Sequence, residues 1–447
     1  MKFPEAVRIR TFIAEQRRML IASAGSLGLR VAGLASTFLL GVLLARVLGP
    51  AAYGVYGLVT SVAALAMNVA LLGTPQLAVR EMAIRSARDD WPGVRALARS
   101  FLGATSIASA TLGIIAIAVT FAVARDQRIP ALAIAGAALM GGMSLTALIA
   151  AELRGLGLLL KGQFMDIVGR PAAAFALTGI ALVAGLSLTP AAAVWIQVFV
   201  AAVAAAVSLG WLTRATHRAS SGETPAEGLH WLRSALPLGM VDVLRTFDGA
   251  YGIILVGLLG SAVALGIYRV AVASSVLVTM PVTILHIVLA PTVSRLHRFG
   301  EREELQRLLR FASGSMCLVI VPMLAVLLLF GRPLVEFVFG QVYGDAWIPL
   351  AILCVAQLIL GFFGMGPILL AMADSERHLT LIYVVAVSAG VLAAALLIPR
   401  YGAVGAAAAQ VLSTGMVGVL SNRFARKRLG LGTTFFARVS AQMRQGG

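Results

Sequence analysis

LLARVLGPAAYGVY at residues 43–56 returns as ILVGLLGSAVALGIY at residues 254–268, and this internal repeat decides the fold. Three pairs of residues align between the copies once a one-residue gap is allowed: Gly49 with Gly260, Gly54 with Gly266, and Tyr56 with Tyr268. Each copy joins two apolar stretches, and an even number of such stretches separates the copies, so both halves of the chain point the same way. The repeat predicts two similar six-helix lobes related by an axis along the membrane normal.

The composition is typical of a membrane protein. Of its 447 residues, 60% are hydrophobic and 12% are charged, whereas a soluble domain has about 45–50% apolar and 25% charged residues. A membrane-spanning helix needs about 20 apolar residues. This rule predicts an all-α membrane protein with about twelve transmembrane helices, at 27–48, 54–73, 101–124, 131–151, 167–186, 191–212, 234–258, 262–290, 311–331, 349–372, 379–398 and 402–422.

The positive charges predict the orientation. With a cytoplasmic N-terminus, and with Arg46 and Arg170 at span ends counted with the adjacent segments, 28 of the 36 Lys and Arg residues lie in inside segments, 5 lie outside and 3 lie within spans. This bias follows the positive-inside rule, so we expect both termini in the cytoplasm and the protein in the cell (inner or plasma) membrane. The net charge of +17 is spread between apolar runs, whereas nucleic-acid binding needs one basic face. Nucleic acid is therefore not an expected partner.

The same reading divides the chain into five parts. They are a basic amphipathic segment at 1–26, an N-lobe at 27–212, a cytoplasmic linker at 213–233, a C-lobe at 234–422 and a basic tail at 423–447. The segments between spans are too short for an extramembrane catalytic domain. The two cysteines, Cys317 and Cys354, lie in apolar runs, so neither a disulfide nor a metal site is predicted. No cofactor is expected.

Charged residues within spans are candidate functional residues, because a charge at mid-bilayer costs about 2.5–3.5 kcal/mol. Arg30 shares one helix face with Ser26, Gly33, Thr37 and Gly41, within about 60° at 100° per residue. One interpretation is a polar cavity wall in which Arg30 and Thr37 contact substrate. The other is that Arg30 extends its side chain to the cytoplasmic headgroups.

The seventh span carries Asp242, Arg245 and Asp248 at three-residue intervals, within an arc of about 120°. Three ionisable groups on one side of a helix cannot all face lipid. Three interpretations remain open. Arg245 pairs with Asp242 or Asp248 in a gate; Arg245 binds substrate phosphate while the carboxylates hold it in place; or an ion pair joins two helices. Coupling to an ion through Asp248 or Asp242 is a further hypothesis.

Other polar residues mark the span ends. Arg269 begins the eighth span near the outside and is a gate or headgroup candidate, and His286 near the end of that span is either a packed residue or a proton relay. Glu152 and Arg154 are expected to pair with each other at the inner interface. Asp166 and Arg170 are expected to border the cytoplasmic mouth.

The order of several short motifs resembles the polysaccharide and O-antigen flippases of the multidrug/oligosaccharidyl-lipid/polysaccharide (MOP) exporter superfamily, from about residue 20 to 422. The matching residues are Gly49, Pro50, Tyr53, Gly54 and Tyr56; Leu72–Gly73; Gln76–Glu81; Asp248; Gly266–Tyr268 and Ala271; Pro291 with Ser294–Leu296; Phe339–Gly340 and Tyr343; and Gly402–Ala407. The resemblance implies two six-helix lobes around a central cavity, and export of a lipid-linked saccharide by alternating access.

Three function classes follow. The resemblance favours a non-enzymatic flippase for a polyprenyl-diphosphate-linked oligosaccharide, because a guanidinium grips phosphate bidentately. An ion-coupled exporter of drugs or small metabolites is the alternative, and a membrane glycosyltransferase or ligase is less favoured because the outside loops are short. Expected partners are the lipid-linked substrate, membrane lipids and the polysaccharide polymerase machinery, with the protein itself a monomer.

Overall fold

The computed structural model describes residues 5–123, 128–217, 231–372 and 376–436, with side chains from residue 25 onward except at 123, 128–130, 232–234, 237, 238, 287 and 376. The predicted amphipathic face of segment 1–26, most of the predicted linker and the tail from 437 lie outside these residues. The described helices are α1 (Glu5–Leu71), α2 (Thr74–Ala87), α3 (Trp91–Val123), α4 (Arg128–Gly155), α5 (Leu159–Gln163), α6 (Arg170–Val183), α7 (Pro190–Thr216), α8 (Leu232–Leu259), α9 (Ala262–Phe299), α10 (Arg302–Phe339), α11 (Trp347–Phe363), α12 (Gly366–Met372) and α13 (Glu376–Leu429), with a π-helical turn at Phe164–Gly169 and a 3₁₀ segment at Gln341–Ala346.

The predicted all-α membrane class is confirmed. Within the described residues, nine helices are long and apolar enough to cross a membrane. Two of them, α1 and α13, are broken in the middle at Gly49 and Gly402, and each is long enough for two crossings. Helix α8 is not among the nine because the charged residues Asp242, Arg245 and Asp248 interrupt its apolar stretch. If α1 and α13 each cross twice and α8 crosses once, these helices give the predicted number of about twelve crossings.

Glycine and proline make the break that joins the first two predicted spans. Gly49 has φ 74°, a left-handed conformation that only glycine adopts without strain, and Pro50 follows it. In the second copy of the repeat the chain breaks completely after Gly260. Helix α9 then starts with Ser261 as its N-cap, whose hydroxyl accepts a hydrogen bond from the Ala264 amide at 3.1 Å.

Segments that the span pattern left between crossings are also helical. Helix α2 and the first turns of α3 occupy most of residues 74–100, and α9 and α10 extend through 291–310 with a turn at Gly300. These segments lack apolar runs but contain few helix breakers, so propensity and packing extend the helices beyond the bilayer.

The chain packs as two compact units. Unit 1 comprises Met1–Leu40, Ala66–Ser187 and Val194–Gly239, and unit 2 comprises Gly41–Leu65, Leu188–Ala193 and Met240–Gly447. The core of unit 1 is a cluster of buried side chains from α2, α3 and α4, including Met82, Phe101, Leu148 and Leu153. In unit 2, α11 packs between α10, α9 and α13. The two-lobe division at 213–233 remains a prediction.

The chain after α13 folds back into unit 2, and we call residues 430–436 the C-terminal segment. The Gln306 side chain is fully buried and makes two hydrogen bonds to Gly432, donating to its carbonyl at 2.7 Å and accepting from its amide at 2.9 Å. Asn422 accepts from the amide and the hydroxyl of Thr433, both at 3.0 Å. Buried polar contacts of this kind fix the segment against α10 and α13.

We expect Gln306→Leu to destabilise unit 2 by about 2–4 kcal/mol, because both backbone groups of Gly432 lose their buried partner. Thermal unfolding in detergent measures the change. Gln341→Leu, at an exposed position of the 3₁₀ segment, is the matched control and should change stability little. Equal stability of the two variants would contradict the role assigned to Gln306.

Candidate functional site

Helix α1 approaches the π-helical turn of unit 1 so closely that glycine is required. A Cβ on Gly33 would overlap the carbonyl oxygen of Ile167, and two turns earlier Ser26 Oγ donates a 2.7 Å hydrogen bond to Gln163 Oε1. The Thr37 hydroxyl donates to the Gly33 carbonyl at 2.9 Å. In the predicted polar stripe, Ser26 therefore contacts α5 and Gly33 contacts the π-helical turn, while Thr37 is exposed.

This packing gathers four charged residues, which we call the arginine cluster: Arg30, Arg154, Asp166 and Arg170. Arg154 lies within electrostatic range of Arg30 and Asp166, and Asp166 lies within range of Arg170 and Arg154. Three guanidinium groups against one carboxylate give the cluster a net charge of +2. The Nε atoms of Arg30 and Arg170 are buried and donate to no described group.

The unpartnered Nε donors of Arg30 and Arg170, in a positively charged cluster, make it a candidate anion site. Phosphate is the anion that arginine binds with best geometry, because two parallel N–H groups match two phosphate oxygens. The π-helical turn also supports a functional role for the cluster, since such turns occur often at functional sites. Of these four residues, the sequence indicated only Arg30 as a substrate candidate and placed Asp166 and Arg170 at the cytoplasmic mouth, but it gave no signal for the turn that brings them together.

The expected Glu152–Arg154 pair is wrong. Glu152 is fully buried in unit 1, and neither carboxylate oxygen has a hydrogen-bond partner among the described residues. Arg154 Nε instead donates to the Ala150 carbonyl at 3.2 Å, and its guanidinium faces Asp166. Residues two apart on a helix point in nearly opposite directions, so neighbours in sequence at this helix end do not meet.

Asp248 in unit 2 is held by α13. Its Oδ1 accepts a 2.6 Å hydrogen bond from Ser413 Oγ, and its Oδ2 accepts one at 3.4 Å from Gln410 Nε2. Ser413 is fully buried. Asp248 therefore joins α8 to α13 through neutral partners, whereas the helix-joining interpretation of the seventh span expected an ion pair.

Arg245 has different neighbours from Asp248. Its guanidinium lies beside the Tyr383 hydroxyl and within electrostatic range of His286, whose Nε2 is buried and makes no hydrogen bond to a described residue. Arg245 itself is exposed, and Asp242, one turn earlier, is half-buried. An exposed arginine about 16 Å along the helix from the predicted inner end must contact water or a polar ligand.

The two copies of the sequence repeat touch each other in unit 2, and we call this the repeat contact. A Cβ on Gly54 would lie 2.8 Å from the amide nitrogen of Gly266, and a Cβ on Gly266 would overlap the Pro50 carbonyl oxygen. The Arg269 stem packs over Gly57, and its guanidinium lies beside the Tyr53 hydroxyl. On the predicted topology this contact lies at the outer surface, where Arg269 was expected.

Three further hydrogen bonds lie beside the repeat contact. The Tyr343 hydroxyl donates to the Ala45 carbonyl at 2.9 Å, and Arg46 donates to the carbonyls of Phe337 and Val338. Tyr53 and Tyr343 meet edge to face with ring centroids 6.5 Å apart. The outer parts of the first two predicted spans are thereby joined to α9 and to the end of α10.

A second glycine pair lies in unit 1, at the predicted inner side. A Cβ on Gly73 would overlap the Ala235 carbonyl oxygen, and a Cβ on Gly239 would overlap the Leu72 backbone. Gly73 has φ 78°, so it is required for its conformation as well as for space. Helix α8 thus meets the end of α1 backbone to backbone.

Solved structures with this fold are transporters. A multidrug resistance MATE family transporter of the MOP superfamily, in its inward-facing conformation, matches with TM-score 0.74 at 14% identity over 95% of this chain and 100% of that chain. The lipid II flippase MurJ, in an inward closed conformation, matches with TM-score 0.72 at 12% identity over 91% and 87%. A MOP superfamily transporter from Pyrococcus furiosus matches with TM-score 0.62 at 16% identity over 92% and 95%. The protein is a multi-pass membrane protein with the MOP transporter fold.

The family follows from the sequence match. The model of the family described as polysaccharide biosynthesis protein matches residues 25–297, which is more than half of the chain. The chain belongs to this family, and the predicted membership of the polysaccharide flippase branch of the MOP superfamily is confirmed. A search of curated protein sequences gave no significant match.

Proposed function

We propose that this protein moves a polyprenyl-diphosphate-linked oligosaccharide from the cytoplasmic to the outer leaflet by alternating access, without chemical change to the substrate. The observation that carries the proposal is the arginine cluster, with its net charge of +2 and the unpartnered Nε atoms of Arg30 and Arg170. A diphosphate is the part of the substrate that hydrocarbon excludes most strongly. The cluster supplies the donors that replace its hydration.

Arg245 is the second contact for the substrate in this proposal. It lies exposed near the middle of α8, whereas the arginine cluster lies near the predicted cytoplasmic end of its helices. Arg245, with Tyr383 and His286 beside it, offers a diphosphate a second position at mid-bilayer depth. This arrangement supports transport in two binding steps.

The two glycine contacts serve as gates in the same proposal. The repeat contact of Gly54 and Gly266 closes the outer side, and the contact of Gly73 and Gly239 closes the inner side. Backbone contacts between glycines form and separate without rearranging side chains, which suits a surface that opens in every transport cycle. A two-state element of this kind is what alternating access requires.

The binding step is tested with the wild-type protein in detergent, by thermal unfolding with added polyprenyl diphosphate or the matching polyprenol. A ligand present at 100 times its Kd stabilises the folded state by about 2.7 kcal/mol. We expect the diphosphate to raise the Tm, and inorganic pyrophosphate to compete with it. Equal stabilisation by the polyprenol would contradict the assignment of the arginine cluster to phosphate.

Ion coupling through Asp248 is part of the proposal, because Asp248 is a carboxylate within α8 whose two partners are neutral. We expect the wild-type protein to transport faster when a proton or sodium gradient is applied, and Asp248→Asn to lose that acceleration. Asp345→Asn, at an exposed carboxylate of the 3₁₀ segment, is the control. If Asp248→Asn and Asp242→Asn both kept the gradient dependence, coupling through α8 would be excluded.

A further inference from the structure

Unit 2 has an apolar groove of about 660 Å³ on its surface. Its walls are α10, α11 and the C-terminal segment, represented by Gly314, Cys317, Val321, Phe362, Phe435 and Phe436. The volume falls in the range of small-molecule sites, about 300–1,000 Å³. A groove of this size and lining suits an apolar chain.

The aromatic side chains that line the groove are held in place by the C-terminal segment. Phe435 and Phe436 end the C-terminal segment, which Gln306 and Asn422 fix through buried hydrogen bonds. Phe436 packs on Phe362 with ring centroids 6.1 Å apart. The Phe435 ring lies 2.9 Å from the point where a Gly314 Cβ would be, so it rests on the backbone of α10. The groove is therefore a built feature of unit 2.

The groove lies at the depth of one leaflet. The apolar part of α10 runs between Arg310 and Arg332, and at 1.5 Å per residue it is about 31 Å long, which matches the hydrocarbon core of about 30 Å. Its midpoint is Val321, at one end of the groove. From there to Gly314 the groove lies within the cytoplasmic half of the bilayer, on the topology that the charges predict.

Two arginines lie on the same face of α10 as the groove, on its cytoplasmic side. At 100° per residue, Arg310 and Arg307 lie within about 40° of the direction of Gly314. They stand one and two turns beyond it, at headgroup depth. Arg307 makes a 3.6 Å ion pair with Glu303, in which both side chains are about 70% exposed. An exposed pair of this kind holds its partners weakly, so Arg307 remains able to bind an anion.

We propose that this groove is a binding site for one anionic phospholipid of the cytoplasmic leaflet, with an acyl chain in the groove and the phosphate at Arg307 and Arg310. The groove lies within one leaflet and leads to two arginines. Its apolar lining matches an acyl chain, and the arginines match an anionic headgroup. A lysine or arginine near the surface favours anionic lipids. The site is separate from the arginine cluster of the proposed transport path and does not depend on it.

The test uses Cys317, which lines the groove and is half-buried, and Cys354, which is fully buried. Delipidated protein in detergent is titrated with phosphatidylglycerol or with phosphatidylcholine, and alkylation of each cysteine by N-ethylmaleimide is followed by mass spectrometry. We expect phosphatidylglycerol to protect Cys317 at about tenfold lower concentration than phosphatidylcholine. Cys354 reports whether the protein stays folded.

Variants separate the headgroup contact from the groove. Arg307→Gln with Arg310→Gln should abolish the preference for phosphatidylglycerol, while Arg302→Gln, about 120° away on the same helix, should retain it. Equal protection by both lipids in the wild-type protein would overturn the proposal, as would a preference that survives the double variant. Protection by a polyprenyl phosphate but not by phosphatidylglycerol would also overturn it, and would assign the groove to the substrate tail.

Discussion

Gly266→Ala is expected to open the outer side of unit 2. The added methyl group would overlap the Pro50 carbonyl oxygen, and because this is a backbone atom, one helix must move. Overpacking of this size costs about 1–3 kcal/mol, which shifts a two-state equilibrium by about 5–150-fold. A cysteine at Leu265, which is buried next to the contact, should then react faster with a membrane-impermeant maleimide added to the outer side. The background carries Cys317→Ala and Cys354→Ala.

Two further alanine variants control this result. Gly249→Ala lies in α8 with nothing within 4 Å of its Cβ, so it should leave the labelling rate unchanged and increase helix stability slightly. Gly239→Ala disrupts the inner contact with Leu72 and should slow labelling from the outside, because the outer side then stays closed for longer. Faster labelling in all three variants would indicate general loosening and contradict the role of the repeat contact as a gate.

Neutralising the arginine cluster is expected to abolish most transport. Arg30→Gln and Arg170→Gln each remove a guanidinium whose Nε has no partner in the described residues. A hydrogen bond to a charged group contributes about 1.5–3 kcal/mol, and each 1.4 kcal/mol is a factor of ten. Each variant should therefore lower transport at limiting substrate by about 10–100-fold, and lysine at either position should restore part of the loss.

The matched control is Arg88→Gln, an exposed arginine at the end of α2 on the same predicted side of the membrane. It should transport like the wild type. The three variants should also unfold at similar temperatures, because the Nε atoms of Arg30 and Arg170 make no hydrogen bond that the substitutions would break. Normal transport by Arg30→Gln and Arg170→Gln would remove the cluster from the substrate path.

The fold was predictable because bilayer thickness sets the length of each span. The apolar runs identified α13 as two crossings and α8 as a crossing in spite of its charges. The repeat of Gly54 and Gly266 was readable as a duplicated motif, but sequence alone gave no sign that the two copies touch. That contact depends on how two helix pairs pack, which local patterns do not encode.

The site was predictable only in part. Arg30, Arg245 and Asp248 stand out because charges within spans are rare. Their partners do not: Arg154, Asp166 and Arg170 join Arg30 through a π-helical turn and the close approach at Gly33. Asp248 is bound by Ser413 and Gln410 from α13, more than 160 residues away in sequence, and neither residue type is unusual in a membrane helix. Glu152 was misread because adjacency in sequence was taken for adjacency in space.

The most direct test of the proposed function is translocation by the purified wild-type protein in liposomes. A fluorescent polyprenyl-diphosphate oligosaccharide and a cationic dye are offered side by side, and a membrane-impermeant quencher reports the leaflet or compartment that each one reaches. We predict that the lipid-linked glycan changes leaflet and that the dye does not move. Movement of the dye without movement of the glycan would contradict the flippase assignment and establish a small-molecule exporter.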